Sequence, residues 1–163
     1  MNSAFISTNL KNIYIWSLVI LGILWIFDLP VRLNIGVVTA SYISMMLAVA
    51  IAAGFIIRPI SDSKYAPTID ISLGFLAITC WGWAGYNHIS WLTDLANRGI
   101  EKWLPGVVAI LLLIEALRRY CGYAITILTV FFIFYGFFGF YFPGILEGTE
   151  VNPSRLILYL YSD

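Results

Sequence analysis

Three charged side chains at helical spacing are the first candidates for chemistry in this 163-residue sequence. Glu115, Arg118 and Arg119 stand at positions i, i+3 and i+4, so one helical face carries an acid that can pair with either arginine. Ionised groups inside a membrane mark functional sites by default, but an arginine at a segment end can reach water. The spacing favours a helix-end ion pair that fixes the depth of the helix. The alternative is a contact with a partner subunit or a lipid.

Other reactive residue types are sparse. His88 is the only histidine, which excludes a haem held by two histidines of this chain, and a zinc site would need several converging ligands. Cys80 and Cys121 lie in or beside apolar runs and are interpreted as small hydrophobic side chains. Nucleophile, phosphate-loop and paired-carboxylate signatures are absent from the sequence. We therefore expect no enzyme activity and no cofactor in this chain, and its few interior acids could not build a sodium or proton site alone.

Small residues recur at four-residue spacing in one apolar run, and we call this set the stripe. Its members are Gly36, Ala40, Ser44, Ala48 and Ala52. Four-residue spacing drifts slowly around a helix, so the stripe forms one smooth face that lets a second membrane helix approach closely. We expect this face to pack against another helix of this chain or of a partner.

The elements that carry these residues are apolar. Hydrophobic residues make up 61% of the chain and charged residues 11%, against about 25% in soluble domains. Runs without charge cover residues 35–57, 71–93 and 120–144, and about 20 such residues suffice for a helix to cross the bilayer core. The composition predicts an integral membrane protein in contact with the lipid bilayer. A net charge of zero without a basic block gives no sign of nucleic-acid binding.

Five hydrophobic segments are predicted, all helical because backbone groups in lipid must be satisfied within the segment. They cover residues of about 13–29, 35–57, 70–92, 104–117 and 120–142, and an amphipathic tail covers 152–163. The predicted fold is a single all-α membrane domain over residues 1–163, a bundle of four or five transmembrane helices. Charged breaks are expected at residues 61–68, 94–102 and 115–120.

The number of crossings stays open at this stage. Five crossings with the amino terminus inside put five basic residues inside and four outside, a slight positive-inside bias. The fourth segment, 104–117, spans only about 21 Å at 1.5 Å per residue, so it either crosses or lies in the interface. In the second case four crossings return the tail to the inside.

Residues 111–144 carry a family resemblance. They read LLLIEALRRYCGYAITILTVFFIFYGFFGFYFPG. This stretch resembles the small membrane module of tripartite ATP-independent periplasmic (TRAP) transporters, in the branch with TAXI-type binding proteins. The matching positions are Glu115, Ala116, Arg118, Arg119, Gly122, Tyr135, Gly139, Pro143 and Gly144. Residues 152–162, NPSRLILYLYS, are similar to the stretch that leads into the large permease module.

The resemblance implies a sodium-coupled secondary transporter in the inner membrane of a bacterium or archaeon. A periplasmic binding protein would capture an organic acid, and a large permease subunit would bind the substrate and sodium. The chain itself would be a small scaffold subunit, with the permease and the binding protein as partners and sodium held by the permease.

Three other functions are alternatives to this one. One is the small subunit of a tripartite tricarboxylate-type transporter, against which the residues from Glu115 to Gly144 argue. Another is a membrane assembly protein. The third is a membrane enzyme such as a quinone or thiol oxidoreductase, which would need paired cysteines or several histidines.

Overall fold

A computed structural model describes residues 3–33, 38–60, 65–93 and 99–162 of the chain. Within these ranges the chain forms helices and no strand, in agreement with the predicted all-α class. The helices are α1 (Ser3–Ile26), α2 (Leu29–Arg32), α3 (Thr39–Ile57), α4 (Ala66–Thr93), α5 (Ile100–Cys121), α6 (Tyr123–Phe138) and α7 (Pro153–Ser162), with 3-10 turns at Gly139–Tyr141 and Gly144–Leu146. The chain divides into two compact units, Met1–Ser90 and Trp91–Asp163. A single membrane domain over residues 1–163 stays a prediction.

Two helices of the described chain are long and apolar enough to cross a membrane. They are Thr39–Ile57, with a mean hydropathy of 2.1, and Tyr123–Tyr141, with a mean hydropathy of 2.0. In α6 the side chains of Phe131, Phe132 and Phe134 are more than half exposed. A surface helix of a soluble protein turns its polar side outward, so α6 has the composition of a helix in apolar surroundings.

The first unit is held together by contacts of α1 and α4 with α3. The ring of Trp25 on α1 stacks on that of Tyr42 on α3 with their centroids 4.5 Å apart. The Tyr42 hydroxyl donates a hydrogen bond of 2.6 Å to the carbonyl oxygen of Leu21. Helix α1 ends where Asp28 adopts a positive φ of 52°, a conformation that a short polar side chain tolerates. The contacts between α4 and α3 are made by small residues on both helices, and they are described with the candidate site.

The second unit places α7 across α5 and α6. A Cβ atom added at Gly106 of α5 would lie 3.1 Å from side-chain atoms of both Ile157 and Tyr161. A Cβ atom at Gly136 of α6 would lie 3.1 Å from the side chain of Leu156. The absence of a side chain at these two glycines therefore lets α7 approach both helices. Helix α7 occupies most of the tail predicted at residues 152–163.

The fourth helix differs from its prediction in length. Helix α5 runs over 22 residues, Ile100–Cys121, where 104–117 was expected, so it is about 33 Å long. The predicted charged break at residues 115–120 is helical, because acid and base at i, i+3 and i+4 pair along one face. The break lies at Gly122, whose φ of +78° is one that side chains other than glycine rarely adopt.

Other boundaries also shift. Helix α4 begins at Ala66 rather than at 70. Proline is tolerated in the first turn of a helix, because the N–H that Pro67 lacks would have no partner within the helix at that position. Helix α3 ends at Ile57 as expected, with Pro59 two residues on. Helix α6 gives way to a 3-10 turn at Gly139, inside the segment expected to run to 142.

Candidate functional site

The charge cluster consists of Glu115, Arg118 and Arg119 in the last two turns of α5. Both carboxylate oxygens of Glu115 accept hydrogen bonds from Arg118, at 2.8 Å from Nε and 2.7 Å from Nη2. The carboxylate oxygen that accepts the bond from Nη2 of Arg118 also accepts a hydrogen bond of 2.8 Å from Nε of Arg119. Glu115 thus binds two guanidinium groups, that of Arg118 through both carboxylate oxygens. Charge-assisted hydrogen bonds of this bidentate kind are among the strong ones in proteins.

The two arginines of the cluster differ in their surroundings. The side chain of Arg119 is 4% exposed, whereas that of Arg118 is 32% exposed. Arg118 reaches across the break at Gly122 and donates a hydrogen bond of 3.3 Å from Nη1 to the hydroxyl of Tyr123. Its guanidinium carbon also lies 5.8 Å from the centre of the Tyr123 ring. The cluster therefore joins the end of α5 to the start of α6.

Gly122 completes this joint. It has a φ of +78°, and the Thr126 side chain and main chain both donate hydrogen bonds to its carbonyl oxygen. A Cβ atom here would meet no heavy atom within 4 Å, so backbone conformation and not space calls for glycine. Arg118 and Arg119 lie in the last turn of α5, where the helix dipole favours positive charge. With one carboxylate and two guanidinium groups, the cluster has a net charge of +1.

The stripe residues of α3 face α4. Ala48 and Ala52 are buried, Ala40 and Ser44 are half-buried, and Gly36 lies outside the described residues. The Ser44 hydroxyl donates a hydrogen bond of 2.8 Å to the carbonyl oxygen of Trp81 on α4. The four described members thus lie on or beside the surface that α3 shares with a helix of the same unit.

Helix α4 packs small residues of its own against α3. These residues were not predicted from the sequence. A Cβ atom added at Gly85 would lie 2.9 Å from the backbone oxygen of Ser41 and 3.0 Å from Met45. A Cβ atom at Gly74 would lie 3.5 Å from the backbone oxygen of Ala52. Small residues on one side of α4 were the available signal, because Ala77 follows Gly74 by three positions and Ala84 follows Ala77 by seven, with Gly85 next to it. Two small faces together allow the backbones to approach.

The return loop, residues 139–148, folds back on the end of α6. The hydroxyl of Tyr135 donates a hydrogen bond of 2.8 Å to the carbonyl oxygen of Leu146, and its ring lies 5.4 Å from that of Phe142. The main-chain N–H of Gly148 donates a hydrogen bond of 3.0 Å to the carbonyl oxygen of Gly139. A Cβ atom at Gly148 would lie 3.3 Å from the carbonyl carbon of Gly139, so the backbones at the two ends of the loop are in contact.

Pro143 and Gly144 form the turn of the return loop. Pro143 is extended, and Gly144 has a φ of +72°, which starts the second 3-10 turn. The residues that carry the family resemblance from Tyr135 onward therefore build one local structure. Tyr135 closes it, Gly139 makes its close backbone contact, and Pro143 with Gly144 reverses the chain.

Two buried charged residues were also missed. Asp70 is 3% exposed in the second turn of α4, and one of its carboxylate oxygens accepts a hydrogen bond of 3.2 Å from the N–H of Ile60. Lys102 is 5% exposed in the first turn of α5. Asp70 follows the predicted break at 61–68, and Lys102 is the last residue of the predicted break at 94–102, so both were expected at the surface. For Asp70, the informative signal was a single charge at the start of an apolar run.

Within the described residues, no group of three or more His, Cys, Asp or Glu side chains is placed to hold a metal ion. Cys80 is buried and Cys121 exposed, neither in a disulfide within the described residues, and His88 is half-buried on α4. Comparison with protein-family models, with curated proteins and with solved structures finds no match for this chain. A functional proposal therefore depends on the chain's own residues.

Replacing Tyr135 with phenylalanine is expected to loosen the return loop without unfolding the helices. The change removes one hydrogen bond, to Leu146, which contributes about 0.5–1.5 kcal/mol, while the ring contact with Phe142 remains. Hydrogen exchange should show faster exchange of the Gly148 amide. Tyr141→Phe is the matched control, because the described chain shows no hydrogen bond to that exposed hydroxyl. Equal exchange in both variants would remove the role assigned to Tyr135.

Proposed function

We propose that this chain is the small scaffold subunit of a tripartite, sodium-coupled, binding-protein-dependent transporter for organic acids, of the TRAP type. A large permease subunit binds substrate and sodium, and a periplasmic binding protein delivers the substrate. The chain is not an enzyme, holds no cofactor, and lies as a multi-pass protein in the inner membrane of a bacterium or archaeon.

One observation carries the proposal. The residues on which the resemblance depends form two adjoining structures at the two ends of α6, rather than being scattered over the chain. Glu115 binds Arg118 and Arg119 beside the Gly122 break, and Tyr135 closes the return loop. A chance match of a few letters would not be expected to select the residues that hold both ends of one helix.

The lengths of the helices support a bundle that spans the membrane. Helices α1, α4 and α5 have 24, 28 and 22 residues, and at 1.5 Å per residue each exceeds the roughly 30 Å of a bilayer core. We include α1, α4 and α5 in the proposed bundle on length, and α3 and α6 on length and apolar composition.

The contacts of the described side chains support the proposed scaffold role. Glu115 is bound to two arginines, the α3 stripe packs on α4, and Tyr135 holds a loop. Each of these groups joins parts of the chain, which is the property that a static support requires. Substrate and sodium binding are accordingly assigned to the permease.

Affinity purification and reconstitution test the proposal. The tagged chain, isolated from membranes of its own host in mild detergent, is expected to carry a large hydrophobic permease with it. Proteoliposomes with both membrane subunits and the binding protein should take up organic acid when a sodium gradient is applied. Proteoliposomes with this chain alone should match empty liposomes. Sodium-driven uptake by the isolated chain, or purification without a permease, would contradict the scaffold role.

A further inference from the structure

A cavity of about 520 Å³ opens at the carboxyl end of α6. This volume falls in the range of about 300–1,000 Å³ that small-molecule sites occupy. Its walls come from the end of α6, the first 3-10 turn and the extended segment before α7: Phe137, Phe138, Phe140, Tyr141, Glu150, Val151, Asn152 and Pro153. All of these residues belong to the second compact unit, so one unit builds the whole cavity.

The lining has the chemistry of a cation site. Four of its residues are aromatic, and Glu150 is its one charged residue. The rings of Phe140 and Tyr141 lie 4.0 Å apart between centroids, and those of Phe138 and Tyr141 lie 6.5 Å apart. Aromatic faces attract ammonium groups, and a carboxylate adds charge-assisted hydrogen bonds, so the lining favours a ligand that presents a cation to it.

An apolar track on α6 leads to this cavity. Ile127, Phe131, Phe134 and Phe138 follow one another at spacings of four, three and four residues, so they lie along one face of the helix. Each of the four is between 42% and 65% exposed. The rings of Phe134 and Phe138 are in contact, with centroids 4.4 Å apart. The track therefore continues into the cavity wall without a polar interruption.

The position of the cavity identifies the source of the cation. The candidate span runs Tyr123–Tyr141, so the cavity lies where the span ends and aromatic side chains meet the headgroup level. A molecule with an ammonium group at that level and a long apolar chain beneath it is a zwitterionic phospholipid. An apolar ligand without a charge would leave Glu150 unused, and a soluble cation would leave the track unused.

We propose that this cavity and track bind one phospholipid with an ethanolamine headgroup. The ammonium lies against the aromatic rings and Glu150, and an acyl chain follows Phe138, Phe134, Phe131 and Ile127 along α6. The proposal shares with the transporter proposal only the insertion of α6 in a membrane. A lipid site can therefore be found whether or not a permease partner exists.

Competitive lipid binding tests the site. The full-length chain is placed in micelles with equal amounts of phosphatidylethanolamine and phosphatidylglycerol, and native mass spectrometry measures the ratio of the two bound lipids. We expect the ethanolamine lipid to be retained roughly five- to tenfold over the glycerol lipid, because the site combines an ion pair with cation–π contacts. Glu150→Gln should lower the ratio, because it removes the ion pair and leaves only the cation–π contacts.

Two further variants separate the site from general charge effects. Glu147→Gln makes the same change of charge three residues away, outside the cavity lining, and should keep the wild-type ratio. Tyr141→Leu keeps apolar volume but removes one aromatic face, and should lower the ratio. Thermal unfolding should give similar midpoints for Glu150→Gln, Glu147→Gln and the wild-type chain, because the Glu150 side chain is exposed.

Three results would overturn the proposal. They are equal retention of the two lipids by the wild-type chain, equal ratios in Glu150→Gln and Glu147→Gln, and failure of the chain to insert in lipid. A crosslink from position 150 to a lysine of a partner protein, without a lipid preference, would assign the cavity to a protein cation instead.

Discussion

Replacing Glu115 with glutamine is expected to destabilise the chain more than any other removal of a single surface charge. Glutamine is nearly the same size but neutral, so it leaves the Arg119 guanidinium without its carboxylate partner while that side chain stays 4% exposed. Hydrogen bonds to charged groups contribute about 1.5–3 kcal/mol, and the loss should be of this order. The thermal unfolding midpoint in detergent, followed by tryptophan fluorescence, should fall by several degrees.

Glu101→Gln is the matched control for this prediction. It removes the same charge from the same helix, but Glu101 is exposed in the first turn of α5 and the loss there is limited to its interaction with the helix dipole. Added salt should change the Glu115 effect little, because the Arg119 side chain of the pair is only 4% exposed. Equal midpoints for the two variants would show that the cluster does not hold the end of α5.

The cluster also shows what sequence reasoning reached and what it missed. The spacing of Glu115, Arg118 and Arg119 predicts that the acid pairs with an arginine, and both pairs are formed. The same charges were interpreted as a break between two helices, because a run of charge between apolar segments resembles a loop. Paired charges at i, i+3 and i+4 support a helix, and the break requires the positive φ of Gly122.

Contacts between distant residues were the other limit. Uncharged runs predict where helices exist, and α3 ends at Ile57 as they indicate. They do not reveal that Tyr135 bonds to Leu146 or that Asp70 binds the N–H of Ile60, since these contacts depend on how loops return to helices. The α3 stripe could be predicted from spacing alone, whereas its partner on α4 required comparing two segments for complementary small residues.

Replacing Gly85 with leucine is expected to separate α4 from α3. The first added atom, Cβ, would lie 2.9 Å from the backbone oxygen of Ser41, which cannot move by a change of side-chain rotamer. Overpacking of this kind costs typically about 1–3 kcal/mol, and more where a backbone must shift. The hydrogen bond from Ser44 to Trp81, one turn along α4, should be lost with it.

Gly82→Leu provides the matched control for Gly85→Leu on the same helix. A Cβ atom at Gly82 would meet no heavy atom within 4 Å, so the purified chain should tolerate the larger side chain there. We expect the unfolding midpoint to fall sharply for Gly85→Leu, to fall less for Gly85→Ala, and to stay near the wild-type value for Gly82→Leu. If the scaffold role is right, the recovery of permease with the tagged chain should fall in the same order, because only folded subunit can assemble. Indistinguishable midpoints for the two leucine variants would show that close approach at Gly85 does not hold α3 and α4 together.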